Sequence, residues 1–548
     1  MTDRLPGALC GAWLLVGACE SPPPSAPPAP AAPAPDDRPN ILLIVADDLG
    51  YADLGSFGSA ISTPHLDALA QTGLRATRFH TAPMCAPTRS MLLSGNDHHV
   101  AGMATQNPEP FLREHVVGYE GHLSDRVAPL PRLLRDAGYH TLMAGKWHLG
   151  VEAEHSPRAA GFEHSFALMH GAGNHFDATG FFDGGSIYRE DGEAVPYPTG
   201  RYSTELYTDR LIAYIDAAAQ DGRPFFAYAA YTSPHWPLQV PDDELDRYAG
   251  RYDRGYDAQR EENFAALQRA GIVEAGAALP PRNPAIPPWS TLSAAERRTE
   301  AREMELYAAM VEDLDRNAGR LLDHLKDIGE YDHTVVIFLS DNGAAGEDFY
   351  EAPGPYRAFV RGHYDNSLEN MGRATSWVSY GPPWAEASSA PFSRYKTYTR
   401  EGGIVAPLIV SGPGVTRAGA IDAAYLTVMD VAPTVLEAAG VSYPATGVVP
   451  LRGVTLWPWL RGAAPQVHGD DEVTAMYLDG RAYLRQGRWK LVNLDGPFAE
   501  ADLELFDVVA DPGETRDRRA DEPELYGRLL ERWRTERRAL GIVLPEDL

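Results

Sequence analysis

Short, wholly apolar runs recur along the chain and are separated by segments with helical periodicity. The first run, residues 41–46, begins two residues after Pro39 and contains no polar residue. Residues 225–231, 335–339 and 408–410 have the same apolar character. Runs of this kind are typical of strands that are buried on both faces of a sheet.

Helical patterns lie between these runs. One helix is predicted to begin at Thr63 and Pro64, and a longer one covers residues 302–328. In the longer stretch, spacings of three and four residues place eight side chains on one face, namely Met304, Tyr307, Val311, Leu314, Ala318, Leu321, Leu325 and Ile328. Strands that alternate with helices predict an α/β fold with a large mixed, mainly parallel sheet flanked by helices.

The pattern changes from residue 446 onward. Short strand candidates at 482–484 and 489–492 precede a helical stretch at 522–540. Residues 446–548 are therefore expected to form a smaller α+β domain that contains an antiparallel sheet. Residues 252–300, rich in Ala, Pro and Glu, have the character of an insertion, and the sequence assigns them no role.

The N-terminal 19 residues have the features of a signal peptide of the lipoprotein type. Arg4 precedes an apolar stretch that is too short to span a bilayer, and Cys19 follows small residues, as at a lipoprotein processing site. Residues 20–37 form a Pro/Ala-rich linker, which is extended and cannot pack a core. We expect an exported bacterial protein, periplasmic or held at the membrane by a lipid on Cys19.

Composition and charge narrow the classes of function. The hydrophobic content of 44% and aromatic content of 10% are those of a folded protein. The formal net charge of -28 disfavours nucleic-acid binding and requires a local basic pocket for any anionic substrate. Outside the leader, Cys85 is the only cysteine, so the folded body has no internal disulfide. Such a cysteine is either inert core or a reactive group.

Acidic side chains follow two of the predicted strands. Asp47 and Asp48 come directly after the first strand, and Asp341 and Asn342 follow the strand at 335–339. Ligands of such folds bind at the carboxyl ends of the strands, and adjacent buried aspartates need compensating charge. These residues fit loop and helix-cap positions as well. Their joint placement favours a cation site, and a ligand set made only of oxygen favours calcium or magnesium over zinc.

The segment around Cys85 carries a resemblance to a known family. Residues 85–89 match the C-x-P-S/T-R motif of sulfatases, with Thr88 at the serine position, and do not fit the phosphate loop of tyrosine phosphatases. Residues 38–50 and 138–150 are similar to two further signatures, and Lys396 matches a family lysine. Residues 118–126 and 366–384 resemble the large bacterial arylsulfatases. The resemblance, to formylglycine-dependent sulfatases of the alkaline phosphatase-like superfamily, covers residues 38–548.

This resemblance implies an activity and its cofactors. It implies hydrolysis of a small-molecule or carbohydrate sulfate ester to an alcohol or phenol plus sulfate, with a catalytic domain at 38–445. A formylglycine-generating enzyme would convert Cys85 to formylglycine (3-oxoalanine), whose hydrate attacks sulfur. One calcium ion would be bound by Asp47, Asp48, Asp341, Asn342 and the modified residue 85.

The resemblance also implies roles for the basic residues. Arg89 would hold the formylglycine, and His148 would act as the base that allows sulfate to leave. Lys146, His235 and Lys396 would bind the sulfate oxygens, and Lys396 or His235 would protonate the departing alcohol. His235 rests on a looser pattern, Ser-Pro-His after a strand.

Three alternatives remain open from the sequence. The nearest is a phosphonate or phosphate ester hydrolase of the same superfamily, because one fold hosts several chemistries. A binding protein on a decayed scaffold is disfavoured because no expected position is lost, and a plain thiol hydrolase requires that Cys85 stay unmodified. Further histidines, namely His98, His99, His170 and His175, could line the pocket, although a structural role in loops is favoured.

Overall fold

The computed structural model describes residue 11 and residues 36–348 and 355–547. The described residues from 36 onward belong to one compact unit. Apart from residue 11, the predicted signal peptide with Cys19 and the linker residues 20–35 lie outside the described residues. No helix among the described residues is long and apolar enough to cross a membrane.

Fifteen strands and fourteen α-helices occur in the described part of the chain. The strands are β1 (Asn40–Ala46), β2 (Leu74–His80), β3 (His140–Lys146), β4 (His164–Leu168), β5 (Tyr188–Glu190), β6 (Glu193–Val195), β7 (Phe225–Ala230), β8 (Thr334–Ser340), β9 (Val405–Ser411), β10 (Ile421–Asp422), β11 (Leu426–Thr427), β12 (Val473–Leu478), β13 (Arg481–Gln486), β14 (Trp489–Asn493) and β15 (Leu503–Asp507). The helices are α1 (Pro64–Thr72), α2 (Cys85–Ser94), α3 (Pro110–His115), α4 (Leu130–Asp136), α5 (Pro157–Ala160), α6 (Ser203–Ala218), α7 (Gly255–Arg269), α8 (Ala294–Asp327), α9 (Pro355–His363), α10 (Gly381–Ser388), α11 (Glu401–Ile404), α12 (Val431–Ala438), α13 (Trp457–Leu460) and α14 (Pro523–Leu540).

The predicted fold class is confirmed. Ten of the strands form the path β10-β2-β9-β8-β1-β7-β3-β4-β5-β6, and β11 pairs with β2. Strands β8, β1, β7, β3 and β4 run parallel to one another, whereas β9 is antiparallel to both β8 and β2. The smaller sheet, β12-β13-β14-β15, is antiparallel throughout.

Helix α8 begins earlier than its apolar pattern predicts. The Ser293 side chain accepts a hydrogen bond from the Glu296 backbone N–H, and the Glu296 side chain accepts one from the Ser293 N–H. This capping box stabilises a polar first segment that carries no hydrophobic periodicity. Farther along, the predicted apolar face is buried up to Leu325, and Ile328 caps the helix.

The C-terminal sheet shares its core with the large sheet. Met476, Tyr483, Val492 and Phe506 belong to the same hydrophobic cluster as the central strands. The domain boundary at 445/446 therefore stays a prediction within one compact unit. Residues 252–300 contain α7 and the start of α8, and α7 packs against α10.

The strand order explains where a site can form. Strands β8, β1, β7 and β3 are consecutive neighbours and parallel, so their carboxyl ends lie along one edge. Ala46 pairs with Ser340, and therefore the acidic residues that follow β1 and β8 emerge side by side. Lys146 is the last residue of β3. The edge thus collects side chains that the sequence places far apart.

Candidate active site

Three buried carboxylates and one amide form the centre of the site. Asp47, Asp48, Asp341 and Asn342 are all fully buried. Asp48 adopts a left-handed backbone conformation with φ 64, which lets its N–H donate to Asp341 Oδ1 at 3.2 Å. The Asn342 Nδ2 donates to Asp48 Oδ1 at 2.6 Å. Its Oδ1 is buried without a hydrogen-bond partner in the described part of the chain.

Cys85 is the first residue of α2 and faces these carboxylates. Its Sγ lies 3.4 Å from Asp47 Oδ1 and 3.7 Å from Asp48 Oδ1. Burial, reinforced by the charge of Asp341, raises the pKa of the Cys85 thiol well above its ordinary value. An unmodified Cys85 is therefore a neutral thiol and a poor nucleophile.

Thr88 fixes the loop that leads into Cys85. Its hydroxyl accepts a hydrogen bond from the Ala82 N–H at 2.9 Å and donates one to the Ala82 carbonyl at 3.1 Å. The side chain is fully buried. Threonine at this motif position thus keeps the hydroxyl contacts that hold the loop.

Arg89 and Lys146 neutralise one side of the acidic centre. Arg89 places Nε and Nη2 at 2.9 and 2.8 Å from Asp341 Oδ2 and donates through Nη1 to the Lys146 carbonyl at 2.9 Å. Lys146 Nζ lies 2.8 and 2.7 Å from the two Asp47 oxygens. Burial lowers the pKa of Lys146, but the charge of Asp47 outweighs it and raises the pKa above its ordinary value. Lys146 is therefore a permanent cation.

Lys396 and His235 lie on the opposite side of the carboxylates from Arg89 and Lys146. Lys396 Nζ lies 2.8 Å from Asp48 Oδ2, 3.3 Å from Glu347 Oε1 and 3.4 Å from His235 Nε2. His235 Nδ1 lies 2.6 Å from the Trp236 carbonyl, so it carries the proton and Nε2 presents a lone pair to Lys396. Burial and the charge of Lys396 lower the pKa of His235 well below its ordinary value, which keeps the ring neutral.

His148 lies two residues after β3 in a strained conformation. Its φ of 58 is uncommon for a residue with a side chain and is typical of functional positions. Burial, followed by the charges of Lys146 and Arg89, lowers the pKa of His148 well below its ordinary value. The ring is therefore neutral and able to accept a proton.

Gly171 fixes the position of the His148 ring. A Cβ at residue 171 would lie 2.3 Å from His148 Cε1 and 2.6 Å from His148 Nε2. Since real Cβ contacts are longer, any side chain at this position must push the ring aside. Only glycine allows the observed approach.

We expect Gly171→Ala to lower kcat about 100-fold, because a displacement of roughly 1 Å in a catalytic group has an effect of this size. Steady-state kinetics with an aryl sulfate measures it, and circular dichroism checks the fold. Gly180→Ala is the matched control, since its new Cβ would make only ordinary contacts at 3.5 Å in the same loop region. Equal kcat values for both variants would show that the ring position of His148 is unimportant.

The residues at this centre fit a hard divalent cation. Burial raises the pKa of Asp47 to about 7; Lys146 offsets part of that effect, and Asp341 adds to it. Asp47, Asp48, Cys85 and His235 each have a potential ligand atom within 4.8 Å of the others. A cation would relieve the repulsion among the carboxylates and give the Asn342 Oδ1 a partner.

The other four histidines named from the sequence either have structural contacts or line a cavity. His98 Nδ1 contacts the Met103 carbonyl, His99 contacts Asp97, and His175 Nδ1 lies 2.6 Å from Ser203 Oγ, all in buried positions. These contacts fit the structural role that the sequence favours. His170 is different, because it lines a cavity together with His148.

Sequence reasoning missed several neighbours of the site. Gly171, Tyr228, Glu347 and Trp236 each contact a predicted site residue. Trp236 adjoins His235 in the sequence and could have been proposed on that ground. Glu347 and Tyr228 carry no local signal, since only the fold brings them to Lys396 and Arg89.

All six predicted catalytic residues and the predicted metal ligands meet at this one edge of the sheet, which defines a hydrolase-type site built for an anionic ester. Residues 39–441 match the family model described as Sulfatase. The chain belongs to the sulfatase family, and it is a sulfuric ester hydrolase.

Two relatives and one solved structure illustrate the similarity. The chain is 39% identical to an uncharacterized sulfatase of Schizosaccharomyces pombe over 534 residues, covering 93% of this chain and 95% of the relative. It is 40% identical to an arylsulfatase of Klebsiella aerogenes over 436 residues, 77% of this chain and 92% of the relative. The structure of Ps i-CgsB in complex with k-i-k-neocarrahexaose superposes with a TM-score of 0.65 at 24% identity, covering 90% of this chain and 92% of that one.

Proposed function

We propose that the protein is an arylsulfatase-type enzyme that uses formylglycine derived from Cys85 and one calcium ion. The observation that carries this proposal is the position of Cys85, 3.4 Å from Asp47 among buried carboxylates. A buried, neutral thiol has little reactivity there, whereas an oxygen nucleophile suits a hard cation.

Asp47, Asp48, Asp341, Asn342 and the side chain at position 85 would hold the calcium ion. When bound, calcium supplies positive charge that acidifies a hydroxyl group and stabilises developing negative charge. Formylglycine supplies, as its hydrate, two hydroxyl groups on one carbon, which a thiol does not. Its formation requires a formylglycine-generating enzyme in the same host.

The basic residues of the chain would bind the ester and move protons. Lys146 and Lys396 now contact Asp47 and Asp48, and a cation on those carboxylates would leave both ammonium groups for the sulfate oxygens. The neutral His148 ring would accept a proton at the formylglycine. Lys396 would donate a proton to the departing oxygen, with His235 Nε2 as its neighbour at 3.4 Å.

The substrate and the location of the enzyme belong to the same proposal. The name of the Klebsiella relative supports an aryl sulfate, and the oligosaccharide in the Ps i-CgsB structure makes a carbohydrate sulfate the alternative. The leader pattern supports export, with a lipid on Cys19. Metabolic labelling with a fatty acid, compared between the wild type and Cys19→Ala, tests the lipid anchor.

A comparison of three esters tests the activity. We expect 4-nitrophenyl sulfate to be hydrolysed with a kcat/KM at least about 100-fold above that of 4-nitrophenyl phosphate, because the phosphate carries one more negative charge into a site with three buried carboxylates. A 4-nitrophenyl phosphonate monoester carries the same charge as the sulfate ester but has a different group on its central atom. Its rate therefore shows whether the enzyme discriminates by charge or by the shape of the transferred group. Faster hydrolysis of the phosphonate than of the sulfate would establish the phosphonate hydrolase instead.

A further inference from the structure

A cavity of about 360 Å3 lies beside His148. Its wall also includes Met103, Met169, His170 and Gly171. Because His148 belongs both to the site and to this wall, the organic group of an ester bound at the site would extend into the cavity. The volume is at the lower end of the range for small-molecule sites, with room for roughly one or two rings.

A series of packed aromatic rings lies between His235 of the site and His170 of the cavity wall. We call Trp236, Phe181, Phe182 and His170 the aromatic arc. Consecutive ring centroids lie 4.1 Å apart for His235 and Trp236, 5.6 Å for Trp236 and Phe181, 5.0 Å for Phe181 and Phe182, and 5.2 Å for Phe182 and His170. Of these rings only His170 lines the cavity, and the contacts along the arc help to position its ring.

His170 presents a hydrogen-bond donor in the cavity wall. Its Nδ1 accepts a hydrogen bond from the Ile187 backbone N–H at 3.1 Å, so the neutral ring carries its proton on Nε2. Burial lowers the pKa of His170, which favours this neutral form. No described residue accepts a hydrogen bond from Nε2, and this N–H is therefore available to a ligand.

Arg113 adds a positive charge to the same wall. It lies on α3, is exposed, and lines the cavity, with Nε near Gly121. Within the described ranges, its guanidinium has no ion-pair partner. An arginine in this position suits a carboxylate or sulfate group, which it can bind through two parallel hydrogen bonds.

The acidic residues of the cavity wall compensate the positive charge of Arg113 only in part. Glu120 accepts a hydrogen bond from the Gly118 N–H at 2.9 Å and lies 3.5 Å from Arg126, so its charge is already paired. Glu152 is exposed at the cavity rim. Its charge is the feature of the wall that would favour a cationic substituent.

We infer that this cavity selects sulfate esters that carry a second, anionic group, bound by Arg113 and the His170 Nε2–H. The inference rests on the proposed function and deepens it, since it assigns specificity to residues outside the reacting centre.

Three aryl sulfates with similar leaving groups test the inference. 4-(Carboxymethyl)phenyl, 4-(carbamoylmethyl)phenyl and 4-(2-aminoethyl)phenyl sulfate differ in the charge that lies beyond one methylene group, or two in the ammonium ester, and this spacer insulates the ring. We expect wild-type kcat/KM for the carboxylate ester to exceed that for the amide ester about tenfold, mainly through a lower KM. Arg113→Gln and His170→Gln should each reduce this preference, and Arg135→Gln, an exposed arginine elsewhere, should preserve it.

The possible failures are distinguishable. Equal kcat/KM for the carboxylate and amide esters, or a preference for the ammonium ester, would overturn the inference. In either case, hydrolysis of the amide ester would still support the proposed function. An unchanged preference in Arg113→Gln also overturns it. Hydrolysis of none of the three esters by calcium-loaded, formylglycine-containing protein overturns both.

Discussion

Cys85→Ala is expected to abolish sulfate ester hydrolysis, with kcat reduced on the order of 10⁴-fold or more, because the substitution removes the group from which the nucleophile is made. Stability should change little. The side chain is buried but small, and loss of one sulfur atom costs about 1 kcal/mol. Sulfate release by ion chromatography and thermal unfolding of the same preparation measure the two effects.

The matched control for this variant is Met91→Leu. Met91 is buried in the same helix, α2, and leucine has nearly the same volume. This variant should retain activity within a few-fold, which separates loss of the nucleophile from a disturbance of the helix. Substantial activity in Cys85→Ala would contradict the assignment of residue 85 as the nucleophile.

Asp48→Asn should weaken calcium binding by about 100-fold or more and reduce activity in proportion, because one of three carboxylate charges is lost from a buried site. Asparagine tolerates the left-handed conformation at φ 64, so the backbone can stay in place. Isothermal titration with calcium measures the affinity directly. The calcium-dependent rise in melting temperature, which follows from ligand linkage, should shrink in the variant.

Asp53→Asn provides the control for burial and charge. Asp53 is buried close to the site, contacts the Tyr307 hydroxyl at 2.7 Å and has a pKa raised to about 6 by burial. Asp53 does not belong to the cluster of Asp47, Asp48, Asp341 and Asn342 that would hold the ion. Calcium affinity should therefore be preserved in Asp53→Asn, and equal affinities for wild type and Asp48→Asn would rule out Asp48 as a ligand.

Four strands of the large sheet, β1, β7, β8 and β9, could be predicted from the sequence because they contain short, wholly apolar runs, whereas β2, β3 and β4 carry polar residues and escaped prediction. The apolar run at 41–46 predicts β1 to within one residue. The run at 335–339 predicts β8 except for the one polar residue at each end of the strand. The edge strands β5 and β6 escaped prediction, since their residues are polar and partly exposed. The start of α8 escaped for a similar reason, because a capping box and not an apolar face defines it.

The site could be predicted where motifs mark it and not where only the fold assembles it. Asp47, Lys146 and Asp341 lie in local patterns, and the parallel order of β8, β1, β7 and β3 then brings them together. Glu347 and Gly171 carry no such pattern, and their contacts with Lys396 and His148 depend on loop geometry. His170 was placed among structural histidines because its lining of the cavity is a tertiary property.

The most direct test of the central claim is the mass of the peptide that contains Cys85, from active, calcium-loaded protein purified from its own host. The account predicts a mass about 18 Da below that of the cysteine peptide, as follows from replacing CH2SH by CHO. An unmodified cysteine peptide in fully active protein would contradict formylglycine chemistry and require a different nucleophile.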